Sequence, residues 1–68
     1  MTGRELLRLL QRRYNCIILR QNGSHVRVRC AECFTTVPNH AGEDLGVGLI
    51  RAIERDLEPC LGERWLRN

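Results

Sequence analysis

Between Ser24 and Cys30 the sequence alternates without a break, with Val26, Val28 and Cys30 on one side of an extended chain and His25, Arg27 and Arg29 on the other. That period of two belongs to a strand with one buried and one cationic face. Upstream, Cys16-Ile17-Ile18-Leu19-Arg20-Gln21 forms a second extended run, followed by Asn22-Gly23, a pair suited to the positive φ angles of a tight hairpin turn. Downstream, the two-residue turn Ala31-Glu32 leads to a third strand over Cys33 to Val37, ended by Pro38, which cannot donate to a ladder. The centre of the chain is therefore a three-stranded antiparallel meander. Its core face is expected to carry Ile17, Leu19, Val26, Val28 and Val37.

Helical patterns flank the meander. Thr2-Gly3-Arg4-Glu5 has the spacing of a capping box, and Leu6, Leu7, Leu10 and Tyr14 then fall in one stripe. Arg4, Arg8 and Arg12 line the opposite side, either simply solvated or serving as a secondary phosphate contact. A second helix is signalled from about Gly46, with Leu49, Ile50, Ile53 and Leu57 inward, Arg51, Glu54, Arg55 and Glu58 outward, and Pro59 as its stop. Beyond it, Leu61 and Trp65 at i, i+4 suggest one more turn packing back on the core. The fold class is α+β: helix, three strands, helix, with both helices on one face of the sheet.

The chain has 68 residues, enough for a single domain, 1–68, and too few for two lobes or a deep cleft. Residues 60–68 stand as an extension of that domain. No apolar run approaches the roughly 18 residues of a membrane helix. The N-terminus is charged and periodic, unlike a signal peptide, so the expected location is cytoplasmic. All 11 basic residues are arginine, giving a net charge of +3. Arginine's planar fork suits phosphate recognition, but a charge of this size is also what an ordinary solvated surface carries. Position has to decide between those readings.

With two-residue hairpins at both turns, Arg20 lies opposite His25, and His25 opposite Pro38. The open sheet face then carries Ile18, Arg20, His25, Arg27, Arg29, Phe34 and Thr36, joined by His40 if the third strand continues past Pro38. A histidine among three arginines has the chemistry that RNA cleavage requires. The 2′-hydroxyl must lose a proton, the leaving 5′-oxygen must gain one, and charge on the phosphoryl oxygens must be offset. Imidazole and guanidinium supply all three functions without a metal or another cofactor. The same pattern also fits a plain surface histidine in a basic strand.

These residues resemble the HicA, or YcfA-like, toxins of bacterial type II toxin–antitoxin systems. The likeness rests on Thr2-Gly3-Arg4-Glu5-Leu6-Leu7, Arg20-Gln21-Asn22-Gly23-Ser24-His25, Thr36-Val37-Pro38-Asn39-His40 and Gly48-Leu49-Ile50-Arg51-Ala52-Ile53, four blocks in order over most of the chain. It implies a fold like the double-stranded-RNA-binding domain, α-β-β-β-α. It further implies an mRNA endoribonuclease whose catalytic histidine matches His25, with Gly23 and Ser24 in the same motif, held inactive by a HicB-type antitoxin. Arg20, Arg27 and Arg29 are the accompanying RNA-binding candidates. The alternative is a non-catalytic RNA-binding module of the same fold held by a protein partner, because similar domains bind RNA without cutting it. The chain departs from the family in three respects. Leu49 and Glu54 stand where a Thr and a Leu are common, lysine is missing, and residues 60–68 extend past the usual end.

Four cysteines remain. Cys30-Ala31-Glu32-Cys33 has a C-x-x-C spacing, yet neither Cys16 nor Cys60 forms the second close pair of a structural zinc site, and the pair flanks a hairpin turn instead of opening a helix as a redox motif does. No metal or cofactor is expected. Cys16, Cys30, Cys33 and Cys60 are expected as buried free thiols, with a cross-strand disulfide formed after purification as the alternative.

Overall fold

The computed structural model describes residues 1–67. Asn68, the last residue of the expected extension, lies outside the described residues. The order is helix α1 (Gly3–Tyr14), strands β1 (Ile17–Asn22), β2 (His25–Cys30) and β3 (Cys33–Pro38), helix α2 (Val47–Leu61) and a 3₁₀ turn, Trp65–Arg67. The strands form an antiparallel meander in the order β1-β2-β3. The α-β-β-β-α arrangement agrees with the expected class and is consistent with a double-stranded-RNA-binding-domain-like fold.

Helix α1 starts where the capping box places it. The Thr2 hydroxyl accepts from the Glu5 amide at 3.1 Å, and the Glu5 carboxylate accepts from the Thr2 amide at 2.8 Å. The backbone bond from Thr2, followed by its side-chain bond, holds the Glu5 carboxyl below its usual range. Leu6, Leu7 and Leu10 are buried, and Gly3 is pressed so close to β3 that a Cβ there would run into the Pro38 carbonyl. Leu6, Leu10, Val26, Val28, Val37, Ile53 and Leu57 form the centre of the core.

Helix α2 packs on β3 and β2 and helix α1 on β3, and β1 is exposed along all six residues. The expected burial of Ile17 and Leu19 is therefore incorrect: they are 49 % and 46 % exposed. The expected register of the first hairpin also differs. The turn is Gly23-Ser24, with Gly23 at φ +62°, and Asn22 pairs with His25 while Arg20 pairs with Arg27. Glycine with positive φ at the first central position is a favoured two-residue hairpin geometry. Moving the turn by one residue changes each partner by two, so Arg20 keeps its expected face.

A bulge between Ile18 and Arg20 then shifts the ladder by one, and Ile18 pairs with Val28 on the helix side instead of the open face. Beyond the bulge, Ile17 pairs with Arg29. The second hairpin has the expected register: His25 opposite Pro38, Arg27 opposite Thr36, Arg29 opposite Phe34.

The expectation of free thiols is overturned by two disulfides, Cys16–Cys30 and Cys33–Cys60. The bulge explains the first. It continues the shifted ladder so that the residue preceding Ile17 faces the one following Arg29. The second ties β3 to the end of α2. Cys30 and Cys33 are cross-strand neighbours, yet each is bridged elsewhere. A domain this small buries a limited core, and cross-links stabilise it further.

Pro59 does not stop α2, which runs on to Leu61. The hydrogen bond that proline forfeits falls in the last turn, where the Gly62 amide caps the Glu58 carbonyl at 2.9 Å and Cys60 is cross-linked. Glu54 is not on the outer face either: it is 4 % exposed, covered by the 3₁₀ turn. Arg67 donates from Nε (3.2 Å) and Nη2 (3.0 Å) to Glu54 Oε1. The Trp65 indole donates to the Glu54 carbonyl at 2.8 Å, and its ring meets Tyr14 edge to face at 5.5 Å. The extension is thus packed into the fold.

Candidate active site

On the sheet face away from the helices, a hollow of about 260 Å³ is lined by Arg20, Asn22, His25, Arg27 and Thr36. Each side chain arrives there by the alternation of its strand. His25 opens β2 immediately after the turn, and Asn22 faces it across the hairpin. Arg20 and Arg27 are direct partners, so a pair of guanidiniums, one from β1 and one from β2, lies next along the sheet to the Asn22–His25 pair. Arg27 Nη1 donates to Thr36 Oγ1 at 3.0 Å, which fixes one guanidinium across the β2–β3 pair. Like charges directly opposite one another are unfavourable unless an anion joins them. Among the described residues, neither Arg20 nor Arg27 forms an ion pair with a carboxylate.

The turn itself is braced. Gln21 Nε2 donates to the Gly23 carbonyl at 3.0 Å, and the Asn39 amide donates to the Ser24 carbonyl at 2.6 Å, extending the β3 contact past Pro38. That extension brings His40 to the hairpin tip, where its Nε2 lies 3.3 Å from Ser24 Oγ. His25 and His40 are both exposed. The motif residues Gly23 and Ser24 form the turn beside the hollow and do not line it.

Of the residues singled out in the sequence, the structure brings His25, Arg20 and Arg27 into one hollow. It places Arg29 farther along β2, beside Phe34. Asn22, a turn residue by the sequence pattern, instead lines the hollow. Leu19, expected in the core, instead borders a neighbouring hollow on the same face. The displaced turn hid Asn22, and the bulge hid Leu19; Gly23-Ser24 is itself a recognisable turn pair and was the available signal for the first. The Arg4, Arg8 and Arg12 rail lines a separate groove of about 310 Å³ between α1 and β1, with Ile18 and Gln21 on its other wall.

A shallow basic sheet face with an imidazole beside two guanidiniums that form no ion pair can bind a phosphodiester and exchange a proton with a hydroxyl next to it. This defines a small α+β domain with an exposed histidine beside two arginines on its open sheet face. The family described as HicA toxin of bacterial toxin–antitoxin matches residues 3–58, a span that includes the whole hollow. The chain belongs to this HicA toxin family, and a cognate antitoxin is the partner that such a system implies. No curated protein and no solved structure shows significant similarity to it. Among the described residues, no helix is long and apolar enough to cross a membrane.

Proposed function

We propose that this protein is the toxin of a type II toxin–antitoxin system, a metal-independent endoribonuclease that cleaves mRNA in the cytoplasm. The observation carrying this reading is the convergence of His25, Arg20 and Arg27 on one hollow, within a chain of the HicA family. His25 serves as general acid or base. As base, it takes the proton of the 2′-hydroxyl, and the 2′-oxygen forms a bond to phosphorus, giving a 2′,3′-cyclic phosphate. The bond from phosphorus to the 5′-oxygen breaks, and that oxygen takes a proton from solvent as it leaves, the proton on His25 returning to solvent afterwards. Arg20 and Arg27 bind the phosphoryl oxygens and offset the charge that develops on them, and Arg29 extends the basic track along β2. A HicB-type antitoxin inhibits by covering this shallow face, since a site without a cleft is closed by occlusion.

Substituting His25→Ala should lower RNA cleavage about 10²–10⁴-fold, the worth of a positioned proton-transfer group, and abolish growth inhibition while leaving the fold and antitoxin binding intact. A substrate with 2′-deoxyribose at the cleaved position should bind and stay whole, and chelators should have no effect. Undiminished cleavage by the variant would refute the assignment. RNA binding without any cleavage by the wild-type protein would favour the non-catalytic module.

A further inference from the structure

We propose that the hollow formed by Leu19, Arg20, Arg27 and Phe34 is a base-stacking subsite, receiving an unpaired nucleobase of the RNA strand beside the phosphate held at His25. It rests on the reading of the His25 hollow as the RNA-cleaving site. The two hollows share Arg20 and Arg27 as walls, so a strand lying across the face meets both. The second, of about 390 Å³, has a different character from the first: its remaining walls are Leu19 and Phe34, 46 % and 45 % exposed.

Three observations point to a base as the occupant. The first is the bulge before Arg20, which brings Leu19 onto the same face as its neighbour; in an unbroken strand the two would point oppositely. The second is the Arg27 guanidinium, whose carbon lies 5.6 Å from the Phe34 ring centroid, so an aromatic floor, an aliphatic wall and a cation surround one space. Bases stack on such surfaces in single-stranded RNA recognition. The third is charge: the eighteen residues of the three strands contain no carboxylate, so the face attracts a polyanion. Two apolar side chains suit one planar base, whereas a stable protein interface needs about 800 Å² from each partner.

The test uses the full chain and a single-stranded RNA bearing 2′-O-methyl groups throughout, which binds without being cut, with 2-aminopurine placed at successive positions. Wild-type protein should quench one position strongly. Phe34→Ala should remove that quench and weaken binding about 5- to 10-fold, the lower part of the stacking range. Phe34→Trp should retain both, and Phe34→Leu, which keeps apolar bulk without a π face, should not. An abasic residue at the quenched position should weaken wild-type binding by a similar factor and leave Phe34→Ala unaffected.

Unchanged affinity and quench in a folded Phe34→Ala protein would overturn the proposal. So would equal losses at every abasic position, or a loss confined to antitoxin binding, which would make the face a protein-docking surface. Because the RNA cannot react, these readouts are separate from cleavage: His25→Ala should quench as wild type does, and its retained cleavage would defeat the parent reading alone.

Discussion

Opening the two disulfides should remove most of the stability of this domain. The bridged residues are 14 apart for Cys16–Cys30 and 27 apart for Cys33–Cys60. Chain-entropy loss in the unfolded state then gives about 3 kcal/mol for the first and about 3.5 kcal/mol for the second. The loops 16–30 and 33–60 do not overlap in sequence, so the contributions add to about 6.5 kcal/mol. A 68-residue domain is expected to have about 3–10 kcal/mol in total, which leaves the reduced chain near the edge of folding.

Thermal melts followed by far-ultraviolet circular dichroism, with and without a phosphine reductant, measure this directly. The Cys33→Ser/Cys60→Ser protein isolates the longer loop and should melt about 14–28 °C below the wild type, at about 4–8 °C per kcal/mol. Superimposable melts in the presence and absence of reductant would refute the estimate. Alkylation of four thiols in the denatured, unreduced protein would refute the bridges themselves. The outcome bears on the proposed activity, because a reducing cytoplasm opens such bonds. Cleavage assays in both redox states then show how much of the site survives when only packing holds β2 and β3 in place.

Two further outcomes concern the ends of the fold. Arg67→Ala leaves the Glu54 carboxylate, 5 % exposed at its side chain, without its charge partner, and should destabilise by about 3 kcal/mol in denaturant titration; the double variant with Glu54→Leu should recover most of that loss. Thr2→Ala should cost about 1 kcal/mol by removing the cap of α1. The Glu5 carboxyl is held below its usual range, so its contribution is present above the unfolded pKa and disappears as pH falls through the lower folded value. The residue-2 backbone amide, which makes the larger of the two bonds to the Glu5 carboxylate, survives in Thr2→Ala, so the pH dependence is read on Glu5→Gln. The wild-type advantage over that variant should shrink in acid, and a gap that stays constant from neutral pH to acid would contradict the carboxylate's part in the cap.

The element order, the capping box and the β2–β3 register were all legible in the sequence, because each rests on neighbouring residues with one dominant preference. Val26, Val28 and Cys30 could face only one way, and they did. The first hairpin was less legible because Asn22-Gly23 and Gly23-Ser24 are both acceptable turn pairs, and because a bulge leaves no local signature in Ile18-Leu19-Arg20. The Cys16–Cys30 bridge followed from that same ladder shift, and Cys33–Cys60 from where the end of α2 meets β3; no count of cysteines contains either. Pro59 and Glu54 misled for another reason: each is unfavourable in its local setting and is tolerated through contacts with residues 60–67. Among the candidate site residues, His25, Arg20 and Arg27 were legible because both errors in the hairpin preserved their parity. Asn22 and Leu19 were not.

The acid at position 54 and the segment past residue 58, beyond the span of the family match, form one feature in the structure. A buried carboxylate alone would strongly oppose folding, and Arg67 supplies the opposing charge while Trp65 occupies the adjoining core. Cys60 then binds the start of the same segment to Cys33, so the β3 terminus farthest from the hollow is cross-linked. Cys16–Cys30 does the same for the matching ends of β1 and β2. Both bridges thus secure the end of the sheet opposite His25. The hairpin tip is held instead by hydrogen bonds from Gln21 and Asn39 and by the Ser24–His40 contact, so the part of the molecule proposed to meet RNA is the part least constrained by covalent bonds.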